Sequence, residues 1–195
     1  IVPVVWHVDY FDDQGWKDRF ALAESSRRQQ ALAQAQPGAK IVATPQVFLD
    51  GRGFGAWRDA RALRSRVLRS ATPAGAPSLA LAHIERDGDN LRLELRVEGA
   101  SAALRWQAVL LQSGLVSRVT GGENQGLTLQ HAHVVRSATG PLAASTSAAA
   151  MRVLPLRLAL PPAGDAGGMH DATLVAWAET EDGTVVNATW AACAL

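Results

Sequence analysis

The sequence predicts an α+β protein of two domains, for three reasons. Within residues 1–70, segments that favour strands alternate with segments that favour helices. Residues 71–77 interrupt every periodic pattern with two prolines and a glycine, which is typical of a linker. From residue 78 to residue 195, almost every periodic segment favours a strand. We therefore expect a mixed domain at 1–70, a linker at 71–77 and a β-rich, sandwich-like domain at 78–195.

The elements of the first domain are predicted from residue types and turn signals. Residues 1–8 are apolar and rich in β-branched side chains, which suits a strand buried on both faces. Residues 21–36 contain neither glycine nor proline and favour a helix that ends at Pro37-Gly38. Residues 40–50 favour a second strand, and residues 57–69 favour a helix with an apolar face. A short extra strand is expected before that last helix.

The second domain is predicted from hairpins and alternation. Residues 79–86 and 91–97 flank Asp87-Gly88-Asp89-Asn90, which is a strong turn signal. Apolar and charged residues alternate through 91–97, so one face of that sheet should be exposed to water. Further strands are predicted at 103–112, 127–136, 151–160, 172–179 and 184–190. About seven strands with turns between them favour a β-sandwich or a partial barrel.

Composition and charge exclude several classes of protein. Hydrophobic residues make up 48% of the chain, which excludes general disorder. The single Cys193 excludes a disulfide-rich scaffold and any Cys-x-x-Cys site within these residues. A formal net charge of +1 argues against nucleic-acid binding. Arg152 and Arg157 interrupt the most apolar run, so we expect no membrane span. No cofactor is expected.

A first candidate site surrounds His7. On a strand, His7 and Asp9 would point to the same face, about 7 Å apart. A carboxylate there would raise the pKa of the imidazole and orient it for acid–base chemistry. The alternative is structural: Asp9 caps a turn while Tyr10 and Trp16 pack against their neighbours. Residue types alone leave both interpretations open.

Two further features attract attention. Proline is unusual inside a strand because it removes a backbone donor, so Thr44-Pro45 predicts a special backbone, with a cis bond as the candidate. His131 and His133 would share one face of a strand, a spacing that many metal sites use. No third ligand is visible nearby, and histidines on a half-exposed strand explain the pattern as well. We therefore predict no metal site.

Four separated motifs resemble, in order, those of the bacterial secreted family known as domain of unknown function 1223. They are His7-Val8-Asp9-Tyr10, Gly15-Trp16-Lys17-Asp18, Thr44-Pro45-Gln46-Val47 with Asp50-Gly51-Arg52, and the stretch from Gly122-Glu123-Asn124 through His131 to His133-Val134-Val135-Arg136. The resemblance covers both predicted domains.

The resemblance implies a thioredoxin-like α/β domain followed by the β-rich domain, in a periplasmic or secreted protein. It also implies an upstream strand and a helix carrying Cys-x-x-Cys-Pro, which these residues do not contain. Without that strand, residues 1–8 cannot pair with residues 42–49, and two apolar edges are left unpaired. We therefore expect the sequence to be a fragment, or its N-terminal segment to lie elsewhere.

The resemblance further implies thiol–disulfide exchange with an unidentified protein partner in the full-length form, while these residues alone should be redox-inert. His7 and Asp9 would tune the dithiol, Thr44 and Pro45 would dock the substrate, and Tyr10 and Trp16 would line the pocket. The alternative is a non-enzymatic binding or assembly module of the cell envelope. Whether the protein is an enzyme stays open. The second motif comprises Glu123, Asn124, His131, His133 and Arg136, and the sequence assigns it no chemical role. A purely structural role, holding the interface between the two predicted domains, explains it as well.

Overall fold

The computed structural model describes residues 1–36, 42–99, 104–143, 151–162 and 170–193, and these ranges are mostly β-structure. Two helices occur in them, α1 (Ala23–Ala35) and α2 (Ala60–Leu68). The first strands are β1 (Phe48–Leu49), β2 (Arg52–Gly53), β3 (Ser78–Asp87), β4 (Asn90–Glu98) and β5 (Arg105–Gln112). The remaining strands are β6 (Leu115–Arg118), β7 (Thr128–His131), β8 (Val134–Ala138), β9 (Met151–Ala159), β10 (Ala172–Glu179) and β11 (Val185–Cys193). The β-rich character predicted for the second part of the chain is confirmed.

Two antiparallel sheets share the main hydrophobic core. One has the order β3-β4-β9 and the other has the order β11-β10-β5-β8. The predicted β3–β4 hairpin is present, with Asp87 opposite Asn90 and a positive φ at Gly88. Alternation along β4 buries every second residue, because only one face of its sheet meets the core. The core contains Leu91, Leu93, Leu95 and Val97 from β4, Leu156 and Leu158 from β9, and Trp106, Leu110 and Leu174 from the other sheet.

The other face of the four-stranded sheet carries the N-terminal residues. Val5 forms a parallel bridge with Val134 at the start of β8. The side chains of Val2, Val4 and Trp6 pack on a second hydrophobic cluster formed by Val109, Leu111, Val135, Val175 and Trp177. This packing places residues 1–8 beside the sheet, where they form one wall of the site described below.

The prediction of a thioredoxin-like α/β domain at residues 1–70 is wrong. In the described part of residues 1–70, the strands are the two-residue β1 and β2, and the first eight residues form a single bridge. An α/β domain needs a sheet with helices on its faces, and the described residues contain no such sheet there. Pro3 and Pro45 each remove a backbone donor from the segments expected to be strands, which is the physical reason against long ladders.

Other elements also differ from expectation. The strand expected at 127–136 is split into β7 and β8, which belong to different sheets. The helix expected at 57–69 is α2, in which no residue is fully buried. The proposed helix stop at Pro37-Gly38 and the start of the strand expected at 40–50 lie outside the described residues. The division of the chain at 71–77 stays a prediction.

Candidate functional site

Several of the predicted site residues meet at one cavity, which we call the large cleft. Its volume is about 1400 Å³. Residues 1–8, 44–51, 119–124 and 185–190 contribute to its walls, together with residues of both helices. The predicted site residues His7, Trp16, Thr44, Pro45, Glu123 and Asn124 all line it. The sequence motifs before and after the predicted linker therefore reach the same cavity.

His7 does not form the predicted pair with Asp9. Its Nδ1 lies 2.5 Å from Oδ2 of Asp18. The Asp9 carboxylate accepts a hydrogen bond from the hydroxyl of Ser26 in α1 instead. The expected pairing fails because the chain turns at Asp9, whose C=O accepts from the N–H of Asp12 at 3.0 Å, so alternation along a strand does not apply.

The His7–Asp18 pair is part of a larger cluster around Phe20. The Phe20 ring is fully buried, and the rings of His7 and His131 approach it edge-on at 5.9 Å and 5.5 Å between centroids. The His7 and His131 rings lie 5.0 Å apart. The Arg136 guanidinium stacks over Phe20 at 5.0 Å. The cluster therefore joins His7 from the first motif to His131 and Arg136 from the second.

The charges in this cluster follow from burial and hydrogen bonding. Burial alone would raise the pKa of Asp18, but hydrogen bonds from the His7 ring and from the Phe20 N–H outweigh it and lower that pKa below its ordinary value. Burial lowers the pKa of His131, and the neighbouring His7 lowers it further. The site thus holds an ionised Asp18 that can orient the His7 ring, beside a His131 that favours its neutral form.

The second-motif residues do not form a metal site. His131 ends β7 and its Nε2 lies 3.0 Å from the hydroxyl of Ser117, whereas His133 lies in the turn before β8 with a φ of 56°. The positive φ breaks the alternation on which the shared face depended. Among the described residues, no group of three histidine, cysteine or carboxylate side chains could hold a metal ion. Arg136 donates to the side chain of Gln112 at 2.6 Å.

The predicted cis bond between Thr44 and Pro45 is confirmed. The turn that carries it is held by α1. The Tyr10 hydroxyl contacts the Thr44 hydroxyl and donates to Oε1 of Gln29 at 3.1 Å. The Gln29 amide donates in turn to the Ala43 carbonyl at 2.8 Å. Tyr10 is thus a positioning residue for Thr44 and not part of the cleft wall.

Close backbone contact positions Glu123 and Asn124. A Cβ atom at Gly121 would lie 2.6 Å from the carbonyl oxygen of Gly15, so only glycine permits the two turns to touch. Gly122 has a φ of 74°, which favours glycine for a second reason. Glu123 and Asn124 therefore stand beside the turn at residues 12–16 in the wall of the large cleft.

Sequence reasoning missed Asp18, Phe20 and Ser25. Asp18 belongs to one of the motifs quoted above, which is the signal that could have drawn attention to it. Ser25 lines the large cleft from the first turn of α1, and its hydroxyl is buried without a hydrogen-bond partner. Its position on the helix gave no sequence signal.

The single cysteine of the sequence lies in the main hydrophobic core. Cys193 packs into the main core at the end of β11, and burial raises the pKa of its thiol. Neither described helix is long and apolar enough to cross a membrane.

Comparison with known protein families identifies the family of this sequence. The family described as "Protein of unknown function (DUF1223)" matches residues 1–168. No curated protein matches the sequence. The match extends over both groups of motifs, which confirms the family resemblance. It does not support the thioredoxin-like fold or the secretion that the resemblance implied.

Proposed function

This chain belongs to the DUF1223 family of proteins of unknown function, and we propose that it is a binding module that takes up an extended polypeptide segment in the large cleft. The observation that carries the proposal is that backbone edges of two extended segments border this cleft without a partner strand among the described residues. The proposal corresponds to the second of the two functions considered from sequence, a non-enzymatic binding or assembly module.

The first unpaired edge belongs to the N-terminal residues. Val5 uses its N–H and C=O for hydrogen bonds to residues 133 and 135, each at 2.9 Å. Backbone groups of successive residues in an extended chain point to opposite sides. Those of Val4 and Trp6 therefore point away from β8, and within the described ranges they have no backbone partner. All of residues 1–8 line the cleft, as expected when a backbone edge borders it.

The second edge belongs to the turn that carries Pro45 and to β1. The Val47 carbonyl accepts from the Phe54 N–H at 2.8 Å. The backbone groups of Phe48 accordingly point to the side opposite β2. Residues 44–51 line the cleft without a gap, as residues 1–8 do. An edge with unpaired donors and acceptors is a template for strand addition.

The size and lining of the cleft indicate a polypeptide rather than a small molecule. Sites for small molecules typically measure about 300–1000 Å³, and the large cleft measures about 1400 Å³. Its walls include Val5, Phe11 and Trp190, whose exposed side chains offer apolar surface to alternate side chains of a bound strand.

The test is binding of two matched synthetic peptides. A fluorescent peptide of about eight alternating valines and threonines, a typical strand length, is titrated with the chain and followed by anisotropy. A second peptide of the same sequence carries N-methyl groups at alternate residues, which removes backbone donors and keeps the side chains. We expect the N-methylated peptide to bind at least about tenfold more weakly.

Control variants locate the binding. Trp190→Ala removes an exposed side chain that lines the cleft and should weaken binding, whereas Leu68→Ala removes an exposed side chain that does not line it. Equal binding of both peptides would exclude strand addition. Absence of binding by the unmodified peptide would exclude the proposed function.

A second candidate is thiol–disulfide exchange by a longer form of the protein. The observation that favours it is that His7 and Pro45, assigned to this chemistry from sequence, line the same cleft. It requires two cysteines that these residues do not hold, since Cys193 is buried in the core. Cysteines in the gene upstream of Ile1, together with insulin reduction by the full gene product, would support it. Lack of either would exclude it.

Export to the cell envelope is also a proposal. It would be tested by fractionation of cells that express the full gene.

A further inference from the structure

We infer that the segment bound in the large cleft carries a lysine or arginine next to its apolar residues, with that cation beside the part of the cleft wall that carries Asp12 and Glu123. The inference rests on the proposed function and names the chemistry of the partner. It is carried by the charges that line the cleft and by one buried hydroxyl.

The charges that line the cleft are predominantly negative. The ionisable side chains in its wall are His7, Asp12, Asp18, Arg28, Asp50 and Glu123. Among these described side chains, Arg28 supplies the only guanidinium or ammonium group, and it is already bound by the buried carboxylate of Glu179 at 2.8 Å. His7 is likewise occupied by Asp18. The α-amino group of Ile1 also lies in the wall. The side-chain charge left for a partner is therefore acidic.

Asp12 and Glu123 belong to two turns of the cleft wall that touch each other. The contact of Gly121 with Gly15 brings the turn that carries Glu123 against the turn that follows Asp12. Asp12 accepts the Asp18 N–H at 3.1 Å, which orients its carboxylate without neutralising it. Neither Asp12 nor Glu123 forms an ion pair with another described residue. The two touching turns therefore carry two carboxylates that lack an ion-pair partner among the described residues, which favours a cation.

The buried hydroxyl of Ser25 is an independent observation that favours a ligand in the cleft. Only 1% of this residue is exposed, and its hydroxyl is buried with no partner. Buried polar groups in native proteins are almost always hydrogen-bonded. Because Ser25 lines the cleft, a polar group of a bound segment can satisfy this hydroxyl. The start of α1 beside it also has no side-chain cap among the described residues.

The experiment compares three families of peptides. Each has the valine–threonine core used above and carries lysine, glutamine or glutamate at its first or at its last position, so that either chain direction is tested. Affinities for the wild-type chain are measured by anisotropy at low and at high salt. We expect the lysine peptide to bind about tenfold more tightly than the glutamate peptide at low salt, and the difference to shrink as salt screens the charges.

Matched variants separate a local contact from overall charge. Glu123→Gln removes one carboxylate at the cleft, and Glu98→Gln removes one at the exposed end of β4, outside the cleft. We expect only Glu123→Gln to reduce the preference for lysine. Ser25→Ala should weaken all peptides by about two- to tenfold, as for one lost hydrogen bond. It should leave the stability of the free chain unchanged or higher, because it deletes an unpartnered buried hydroxyl.

The outcomes are distinguishable. Equal affinities for the lysine, glutamine and glutamate peptides would overturn the inference and leave the proposed function standing. A preference for lysine that Glu98→Gln reduces as much as Glu123→Gln does would also overturn it, since the effect would then come from net charge. Failure of every peptide to bind would overturn both proposals.

Discussion

Residues 78–193 and residues 1–76 differ in how they use apolar side chains. In the two sheets, β4 alone contributes four side chains that are almost completely buried, and they share one core with residues of β3, β5, β9, β10 and β11. In the first 76 residues, α2 buries no residue fully, and most apolar side chains before α1 are only partly covered. The sheets therefore provide most of the stability, while the N-terminal residues leave apolar surface and backbone groups at the cleft.

Under the proposed function, this difference assigns stability and recognition to different regions of the chain. A surface that must accept a partner strand cannot satisfy its own backbone groups beforehand, so it contributes less to folding. The N-terminal residues are held to the sheets by packing of Val2, Val4 and Trp6 and by polar contacts. One polar contact is the bridge of Val5 with Val134, and another is the buried ion pair of Arg28 with Glu179.

The strongest test of the comparison is to truncate one leucine side chain in each region. Leu95→Ala removes a side chain with 0% exposure from the main core and should lower the free energy of unfolding by about 2–5 kcal/mol. Leu68→Ala, at the end of α2, removes a side chain that is 72% exposed and should cost less than about 0.5 kcal/mol. Urea unfolding followed by fluorescence measures both. Similar losses for the two variants would contradict the division.

Breaking the ion pair that attaches α1 to the sheet should have the next largest effect on the free energy of unfolding. Arg28 in α1 donates to Glu179 at 2.8 Å and to Gln107 at 2.6 Å, and the Trp177 indole donates to the same Glu179 carboxylate at 2.7 Å. Glu179→Gln leaves the Arg28 charge buried without its counter-ion. We expect a loss of about 3 kcal/mol, since breaking a buried pair by removing one partner is costly.

The double variant Arg28→Met/Glu179→Leu provides the control. Replacing both charges by apolar side chains avoids the buried unpaired charge, so it should recover much of the lost stability. Hydrogen exchange of α1 amides would show whether the single variant loosens the helix. If the double variant is as unstable as the single one, the ion pair is not what holds α1 to β10.

The difference between the regions also decides what could be predicted from sequence. Strict alternation in residues 91–97 and the Asp87–Asn90 turn were sufficient to predict the β3–β4 hairpin, because both signals are local. The long strand expected at 127–136 was wrong because the positive φ at His133, unusual for a residue with a side chain, ends the alternation. Local patterns therefore predicted the sheets but not where one strand gives way to the next.

The candidate site was less predictable because it is assembled by contacts between distant residues. His7 pairs with Asp18, eleven residues further on, and not with its neighbour Asp9. The cluster is completed by His131 and Arg136 through Phe20. The resemblance marked most of these segments correctly but implied the wrong fold for the first 70 residues, because motifs identify residues without showing how their backbones pair.

The cluster around Phe20 should make stability depend on pH, with a smaller effect. The pKa of Asp18 is lowered from 3.8, so its stabilising contribution is present above that value and is lost as the pH falls through the folded-state pKa. The pKa of His131 is lowered from 6.5, so its contribution is present above pH 6.5 and is lost as the pH falls below it. Both effects destabilise the chain in acid.

The measurement is the free energy of unfolding between about pH 5 and about pH 7, where histidines titrate. We expect it to rise with pH in the wild-type chain and to rise less in His131→Asn. His83→Asn is the matched control, since the His83 side chain is exposed on β3 and lies outside the cluster. An unchanged slope in His131→Asn would show that the burial of this ring does not affect stability.

The last prediction concerns the rate at which a disulfide reagent labels a thiol in each region, and we expect it to have the smallest effect on the chain. Burial raises the pKa of this thiol, so less of it is thiolate, the form that reacts with a disulfide reagent. Its labelling at pH 8 should be at least about tenfold slower in the folded chain than in urea. A thiol introduced by Ala71→Cys, at an exposed position lining the cleft, should react rapidly and be protected by the valine–threonine peptide. Rapid labelling of Cys193 in the wild-type chain would instead show that the end of β11 opens readily, and that the sheets are not uniformly the more stable region.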